Sequence, residues 1–176
     1  NKDIFKHLKK VTPLLFNNPS GVAHTGAFYS PRDNYVKIPI DDRRKNSKWY
    51  AQAVVHHEFG HAIDFQTGLR NSSKIANLMG EARKMYTVKE FKEMYKKTFN
   101  LAVSSYGDKN KDSYEKYGAI LDTIASLRPT VNMAQSHSDA YWNIKGNKEA
   151  EFIAHISENK FSGNDEFEKI MPTLYK

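Results

Sequence analysis

The sequence predicts an α+β domain that is mostly helical, with one small sheet in its N-terminal half. Two observations predict this class. Two short β-prone runs, residues 26–30 and 35–40, flank the turn residues Pro31 to Asn34, a pattern typical of a β-hairpin. After residue 47 most of the chain instead shows apolar residues at helical spacing, interrupted by polar, Gly and Pro clusters. A hairpin followed by a run of helices is the pattern of an α+β fold.

The chain is long enough for one hydrophobic core. Its 176 residues, of which 39% are hydrophobic, bury one core comfortably and are too few for two. We therefore expect a single domain over residues 1–176. Pro13 and the cluster "NNPSG" mark a break before the hairpin, so residues 1–19 are expected to form a peripheral N-terminal extension.

The helices follow in order after the hairpin. Ser47 can cap a first helix over residues 48–67, and Gly68 stands where a C-terminal cap is needed. The segment from Pro129 to Asn147 shows no clear period and is predicted to be irregular. The other predicted helices cover residues 74–101 with a break near Tyr86 and Thr87, residues 114–128, residues 148–158 and residues 165–171.

Composition and charge limit the partners of the chain. It has no cysteine, so a disulfide framework is excluded and any metal site must use His, Asp or Glu. No apolar run reaches the roughly 18 residues of a membrane span, and the first residues lack the apolar core of a signal peptide. We therefore expect no membrane partner.

The net charge of +7 favours an anionic neighbour, but the basic residues are scattered, so nucleic acid is not expected as the main partner.

The segment "AVVHHEFGHAIDF" places ionisable side chains inside an apolar helix. It contains the pattern H-E-x-x-H as His57, Glu58 and His61. Residues i and i+4 share one face of a helix, so His57 and His61 can direct their imidazoles to one metal ion. Glu58 lies about 100° round the helix, where a carboxylate can take a proton from metal-bound water. We predict a catalytic Zn²⁺ site, and the alternative is a helix with chance histidines.

Two residues beside this motif, Asp64 and His56, are not predicted to be ligands. Asp64 shares the face of His57 and His61 and is a candidate hydrogen-bond acceptor that orients one imidazole. The alternative is an ordinary solvated aspartate. His56 points away from His57 and is predicted to be a packing or surface residue.

The third zinc ligand has to come from elsewhere in the chain. A catalytic zinc usually has three protein ligands, and no histidine follows His61 at the short spacing of an extended motif. The best source is "NKEAEFIAHISENK", where Glu151 and His155 share one helix face, and we predict Glu151 as the ligand. His155 is expected to support the ligands, to compete as a ligand, or to be a partly buried histidine. Glu149 and Glu158 are expected to be surface charges.

These motifs carry a family resemblance. "HEFGHAIDF" followed by "EAEFIAH" resembles the zincin metallopeptidases with a glutamate ligand, including the catalytic domain of the anthrax lethal factor group. A further resemblance is to the metallopeptidase-like C-terminal domains of phage minor head (portal-associated) proteins. It covers residues 20–176 through segments that occur in this order: "FYSPRDNYVKI", "HEFGHAID", "AILDTIASL", "SHSDAYW", "EAEFIAHIS" and "IMPTLYK". Only H-E-x-x-H is specific by itself.

The resemblance implies a zincin-like fold and a zinc-dependent peptidase, with His57, His61 and Glu151 as ligands and Glu58 as general base. It implies that a peptide substrate adds to an edge of the hairpin by strand pairing.

The resemblance also implies that Tyr141 donates a hydrogen bond to the oxyanion and that His137 shares this task. The alternative for Tyr141 and Trp142 is aromatic packing. His155 stands where the lethal factor pattern carries a second acid, so the groups that support the ligands differ here.

The implied partners are a peptide or protein substrate and phage portal or head proteins, and the implied location is the virion or the host cytoplasm. The alternative is a non-catalytic structural or interaction module of the virion that retains a metal site. A toxin-like effector would share the chemistry and differ in its substrate. A fourth protein ligand such as His155 or His137 would favour the structural module, because a catalytic zinc keeps one position open.

Overall fold

The computed structural model describes residues 9–17, 26–40, 47–107, 112–131 and 137–175. These residues form a mostly helical α+β domain, as the sequence predicts. Among them, no helix combines the length and the apolar character that crossing a membrane requires. The strands are β1 (Thr12–Asn17), β2 (Phe28–Ser30) and β3 (Tyr35–Ile40). The helices are α1 (Lys48–Thr67), α2 (Ser73–Met85), α3 (Val88–Ser105), α4 (Asp112–Leu127), α5 (Asp139–Trp142), α6 (Asn147–Phe161), α7 (Asp165–Ile170) and α8 (Pro172–Tyr175).

The three strands form one sheet in the order β1-β3-β2. The predicted hairpin is confirmed, because β2 pairs with β3 in antiparallel orientation. The sequence does not predict β1, because Pro13 argues against a strand there. It pairs with β3 in parallel orientation and places Pro13 opposite Val36. Proline lacks an N–H donor and is tolerated on such an edge strand. The segment expected to be peripheral therefore contributes one strand to the sheet.

Helix α1 has the predicted bounds and caps. The Ser47 hydroxyl accepts a hydrogen bond from the backbone N–H of Tyr50. Gly68 ends the helix in the left-handed region with a φ of 65°, a conformation that glycine adopts without steric cost.

The sheet packs on α1 through apolar residues. Val36 and Ile38 of β3 are buried against Val54 of α1. This contact brings β2 alongside the middle of the helix, where the H-E-x-x-H residues lie.

The later helices follow the prediction with shifts of a few residues. The predicted break is confirmed, because α2 ends at Met85 and Thr87 caps α3 in a capping box with Glu90. Residues 132–136 of the segment predicted to be irregular lie outside the described residues. Within the rest of that segment are a 3₁₀ turn, Pro129–Val131, and the single turn of α5.

Helices α1 and α6 lie in close contact. A Cβ atom at Gly60 of α1 would lie only 2.8 Å from the Cα atom of Ala154 in α6, so only glycine allows this approach. Phe152 of α6 faces the main core and is fully buried there. The other face of α6 carries buried polar residues, including Glu151 and His155. The close contact therefore brings the polar faces of the two helices together.

Candidate metal centre

The structure brings the three predicted ligands together. His57 and His61 lie one turn apart on α1, and their Nε2 atoms are 3.2 Å apart. Glu151 reaches them from α6, with Oε2 3.7 Å from His57 Nε2 and Oε1 3.7 Å from His61 Nε2. Ligands at zinc distances of about 2.0 to 2.2 Å in a tetrahedron would be about 3.3 to 3.6 Å apart. The three side chains can therefore hold one metal ion.

The environment of these atoms fits a cation. Glu151 is buried, and its Oε2 atom has no hydrogen-bond partner within the described part of the chain. Burial alone would raise the pKa of Glu151, but the hydrogen bond from His137 and the neighbouring imidazoles hold it well below its usual range. Burial and the nearby His57 lower the pKa of His61 to about 3. Although burial acts in the other direction, Glu158 and the neighbouring carboxylates raise the pKa of His57 to about 9, so His57 must release a proton to bind a metal. An ionised carboxylate and a neutral imidazole are the forms that bind a metal.

A second carboxylate orients one of the ligands. The Glu158 Oε2 atom accepts hydrogen bonds from Nδ1 of His57, at 3.2 Å, and from Nδ1 of His155, at 2.9 Å. Although burial acts in the other direction, these contacts lower the pKa of Glu158 to about 2. An ionised carboxylate only accepts hydrogen bonds, so each imidazole carries a proton on Nδ1 and its neutral form has its lone pair on Nε2. The expectation that Glu158 is a surface charge is wrong, because α1 covers it.

His57, His155 and Glu158 form a second group close enough to hold an ion. Their Nδ1 to Oε2 distances of 2.9 and 3.2 Å are hydrogen-bond distances. The Nε2 atom of His57 already faces His61. Of the two groups, that of His57, His61 and Glu151 is therefore the better candidate for holding a metal ion, and the second group is linked by hydrogen bonds.

Glu58 lies beside this group and is not one of the three residues that could hold an ion together. Its side chain is buried and accepts a hydrogen bond from the backbone N–H of Tyr29 in β2. Burial raises the pKa of Glu58 to about 7. A carboxylate with this pKa can both accept and release a proton near neutral pH.

His137 and Tyr141 lie on the other side of the third ligand. The Tyr141 hydroxyl donates a short hydrogen bond to Glu151 Oε1, and His137 Nε2 is 3.5 Å from the same oxygen. The two rings stack with their centroids 4.0 Å apart. Burial and the negative Glu151 raise the pKa of Tyr141, so its hydroxyl is a neutral donor. Trp142 is fully buried in the core, as its packing alternative predicts.

Asp64 does not have the expected role. It is fully buried, and Arg70 occupies both of its carboxylate oxygens. The Arg70 backbone N–H donates to Oδ1 at 2.6 Å and its Nε–H donates to Oδ2 at 2.6 Å. Asp64 therefore holds the turn after α1, and Glu158 orients the imidazole of His57 instead.

His56 points away from the centre, as expected, with its Nδ1 2.7 Å from the Ser162 hydroxyl.

Two acidic residues of the site were missed in the sequence. Glu158 follows Glu151 by seven residues and His155 by three, a spacing that predicts one helix face. Asp122 comes from α4, and no local pattern connects it with the motif. It lies on a cavity of about 400 Å³ that His57, Glu58 and His155 also line.

Helices α1 and α6 thus supply a group of side chains that could hold a metal ion, with the buried Glu58 at one side and a cavity beside it. Comparison of the chain with protein-family models, with curated proteins and with solved structures finds no match in any of the three.

Proposed function

We propose that the protein is a zinc-dependent peptidase with a zincin-like active site. One observation carries the proposal: two imidazole nitrogens and one carboxylate converge beside the buried Glu58 at the edge of a cavity. Two histidines and a glutamate are a donor set that suits catalytic zinc. Three protein ligands also leave one position of a tetrahedral ion for reaction.

The chain supplies the proton transfers. When bound, zinc would polarise the carbonyl of a peptide bond and lower the pKa of water. Glu58 would accept the proton of the attacking water and pass it to the leaving amine, and a pKa of about 7 suits both steps. Tyr141 donates to Glu151 in this structure. Its neutral hydroxyl would move to the oxyanion of the substrate, and His137, which stacks on it, would support this movement.

An extended peptide would approach along β2. Within the described part of the chain this strand lies at one edge of the sheet. Its Tyr29 donates a backbone N–H to Glu58, so a peptide paired with β2 would pass next to that acid. Pairing with a sheet edge supplies main-chain hydrogen bonds and is tolerant of side-chain identity.

The zincin-like fold and a phage origin belong to the same proposal. They rest on the order of the segments "HEFGHAID", "SHSDAYW" and "EAEFIAHIS" in the sequence. In this setting the substrate is a peptide or protein, portal or head proteins are partners, and the location is the virion or the host cytoplasm.

A non-catalytic virion module with a purely structural metal site is the second candidate. The observation that favours it is the position of His137 and His155, whose Nε2 atoms each lie 3.5 Å from Glu151. Either imidazole would close the site if it moved onto the ion. X-ray absorption of the zinc-loaded protein separates the two, because a structural site has four protein ligands and a catalytic site retains an oxygen ligand from water.

Metal content tests the ligand assignment. Wild type and Glu151→Ala are incubated with zinc, desalted and measured by elemental analysis, with Glu149→Ala of the same helix as the control. We expect about one zinc per chain in wild type and in the control, and little in Glu151→Ala. Equal zinc in all three proteins would mean that Glu151 is not a ligand.

Cleavage tests the role of Glu58. Zinc-loaded wild type and Glu58→Gln are each incubated with a randomised peptide library. The cleavage products are identified by mass spectrometry. The variant should retain zinc and lose cleavage by at least 10²-fold. A variant that cleaves as fast as wild type would rule out Glu58 as the general base.

A further inference from the structure

The cavity beside Glu58 is large enough for a long side chain. Its volume is about 400 Å³, within the range of ligand pockets in proteins. Tyr50 and Val54 of α1 and Gly118 and Ala119 of α4 form part of its wall. Because His57 and Glu58 also line the cavity, a side chain next to the bond on which Glu58 acts would enter it.

One polar atom in this wall lacks a hydrogen-bond partner. His155 is 5% exposed, and within the described part of the chain its Nε2 atom accepts no hydrogen bond and donates none. Glu158 holds the opposite ring nitrogen, Nδ1, at 2.9 Å. The Nε2 atom lies 3.5 Å from Glu151 Oε2, and it presents a lone pair when only Nδ1 carries a proton. A buried acceptor without a partner is costly to the folded protein, and a ligand that donates a hydrogen bond would relieve this cost.

The carboxyl group of Asp122 lies on the same cavity. No hydrogen bond or ion pair within the described part of the chain engages its carboxylate. Burial and the nearby Glu158 raise the pKa of Asp122, and the imidazoles of His155, His137 and His57 act in the other direction. The described residues that line the cavity include no lysine or arginine, although the whole chain has 27 of them. The described wall of the cavity therefore carries carboxyl and imidazole groups but none of the lysine and arginine side chains of the chain.

We propose that this cavity binds a lysine or arginine side chain of the substrate, with Asp122 as partner of the cationic group and His155 Nε2 as hydrogen-bond acceptor. The proposal rests on the proposed peptidase function and names its substrate class. The apolar stem of such a side chain would lie along Val54 and Ala119, and the ring of Tyr50 would flank it. The charged end would then reach groups that only accept hydrogen bonds.

Matched peptides test the proposal. Two substrates of equal sequence carry either lysine or norleucine, its uncharged counterpart, next to the cleaved bond. Wild type should cleave the lysine peptide with a kcat/KM about tenfold higher or more, since a hydrogen-bonded charge pair contributes that much. In Asp122→Asn the ratio of the two kcat/KM values should fall about tenfold. The ratio should stay at its wild-type value in Glu81→Gln, whose acid is exposed on α2.

The results separate the two proposals. Cleavage of both peptides at equal rates, or an unchanged ratio in Asp122→Asn, would overturn the assignment of the cavity and leave the peptidase function intact. If wild type with bound zinc cleaves no peptide, the peptidase function fails. The binding of a small cationic ligand then tests whether the cavity accepts a basic group. Agmatine, which carries a guanidinium group, should bind to wild type and at least tenfold more weakly to Asp122→Asn. Equal binding to both proteins would overturn the proposal.

A folding control completes the design. Circular dichroism of Asp122→Asn should match that of wild type, and Asp122→Ala provides a second variant with the same expected loss of preference. A zinc titration monitored by elemental analysis shows whether a second metal ion occupies the cavity. Two zinc ions per wild-type chain and one per Asp122→Asn chain would overturn the assignment to a basic side chain.

Discussion

Glu158 lies across the contact of α1 and α6 from His57, with its Oε2 atom 3.2 Å from the Nδ1 atom of the imidazole. The same oxygen binds His155 Nδ1 at 2.9 Å. One carboxylate therefore fixes the ring orientation of a candidate metal ligand and of a cavity residue at once.

Glu158→Gln should weaken zinc binding by about 10 to 100-fold, because the amide orients His57 less strongly and adds no negative charge near the ion. Competition with a chromophoric chelator gives the dissociation constant. Glu149→Gln, in the first turn of α6, is the matched control and should bind like wild type. Equal affinities for the two variants would show that Glu158 has no influence on the centre.

Gly60→Ala should destabilise the protein by about 1 to 3 kcal/mol, because the new Cβ would lie 2.8 Å from the Ala154 Cα atom and force α1 and α6 apart. The affinity for zinc should fall together with the stability. The reason is that α1 carries His57 and His61 whereas α6 carries Glu151, so separating the helices separates these side chains. The control is Gly80→Ala in α2, where a Cβ atom meets nothing within 4 Å. It should be neutral or stabilising by up to about 1 kcal/mol. Thermal unfolding measures both, and a neutral Gly60→Ala would contradict the close packing.

Arg70→Ala should destabilise the protein by about 3 kcal/mol, because it leaves the fully buried Asp64 carboxylate without its cation. The melting temperature should fall by roughly 6 to 12 °C for a chain of this size. The control is Lys145→Ala. Lys145 is exposed and lies just before α6, so this variant should change the melting temperature little. A fall of equal size in the double variant Arg70→Ala, Asp64→Ala would mean that the buried charge is not the cause.

Asp122→Asn should raise the melting temperature of the protein at pH 7 in the presence of a chelator. Burial raises the pKa of Asp122 above its ordinary value of 3.8, so the folded protein binds this proton more tightly than the unfolded chain. Its stability therefore decreases as the pH rises from 3.8 through the raised pKa. The advantage of Asp122→Asn should be present at pH 7 and disappear as the pH falls to about 3.8. A variant less stable than wild type at pH 7 would show that Asp122 stabilises the fold.

The prediction from the sequence succeeded where the signal is local. The bounds of α1 follow from two cap residues, and the proximity of His57, His61 and Glu151 follows from i, i+4 spacing combined with the need for a third ligand. β1 was missed because Pro13 argues against a strand unless the strand lies at an edge, and the edge position is known only from the tertiary structure.

The supporting groups show the same limit. The carboxylate of Asp64 shares the face of the histidines, yet Arg70, six residues away, occupies it. Glu158 was predicted to be exposed because its cover, α1, lies 101 residues away in the sequence. The proposed role of Asp122 depends on the packing of α4, which no pattern around that residue indicates.

The separation of Glu158 and His57 has a consequence for biosynthesis. During translation α1 leaves the ribosome long before α6, and the HExxH helix then has two histidines but neither Glu151 nor Glu158. The nascent chain would hold a metal ion only weakly until α6 has emerged and packed against Gly60. Tight metal binding would therefore mark the completion of folding, and a peptidase built in this way would be inactive while it is being synthesised.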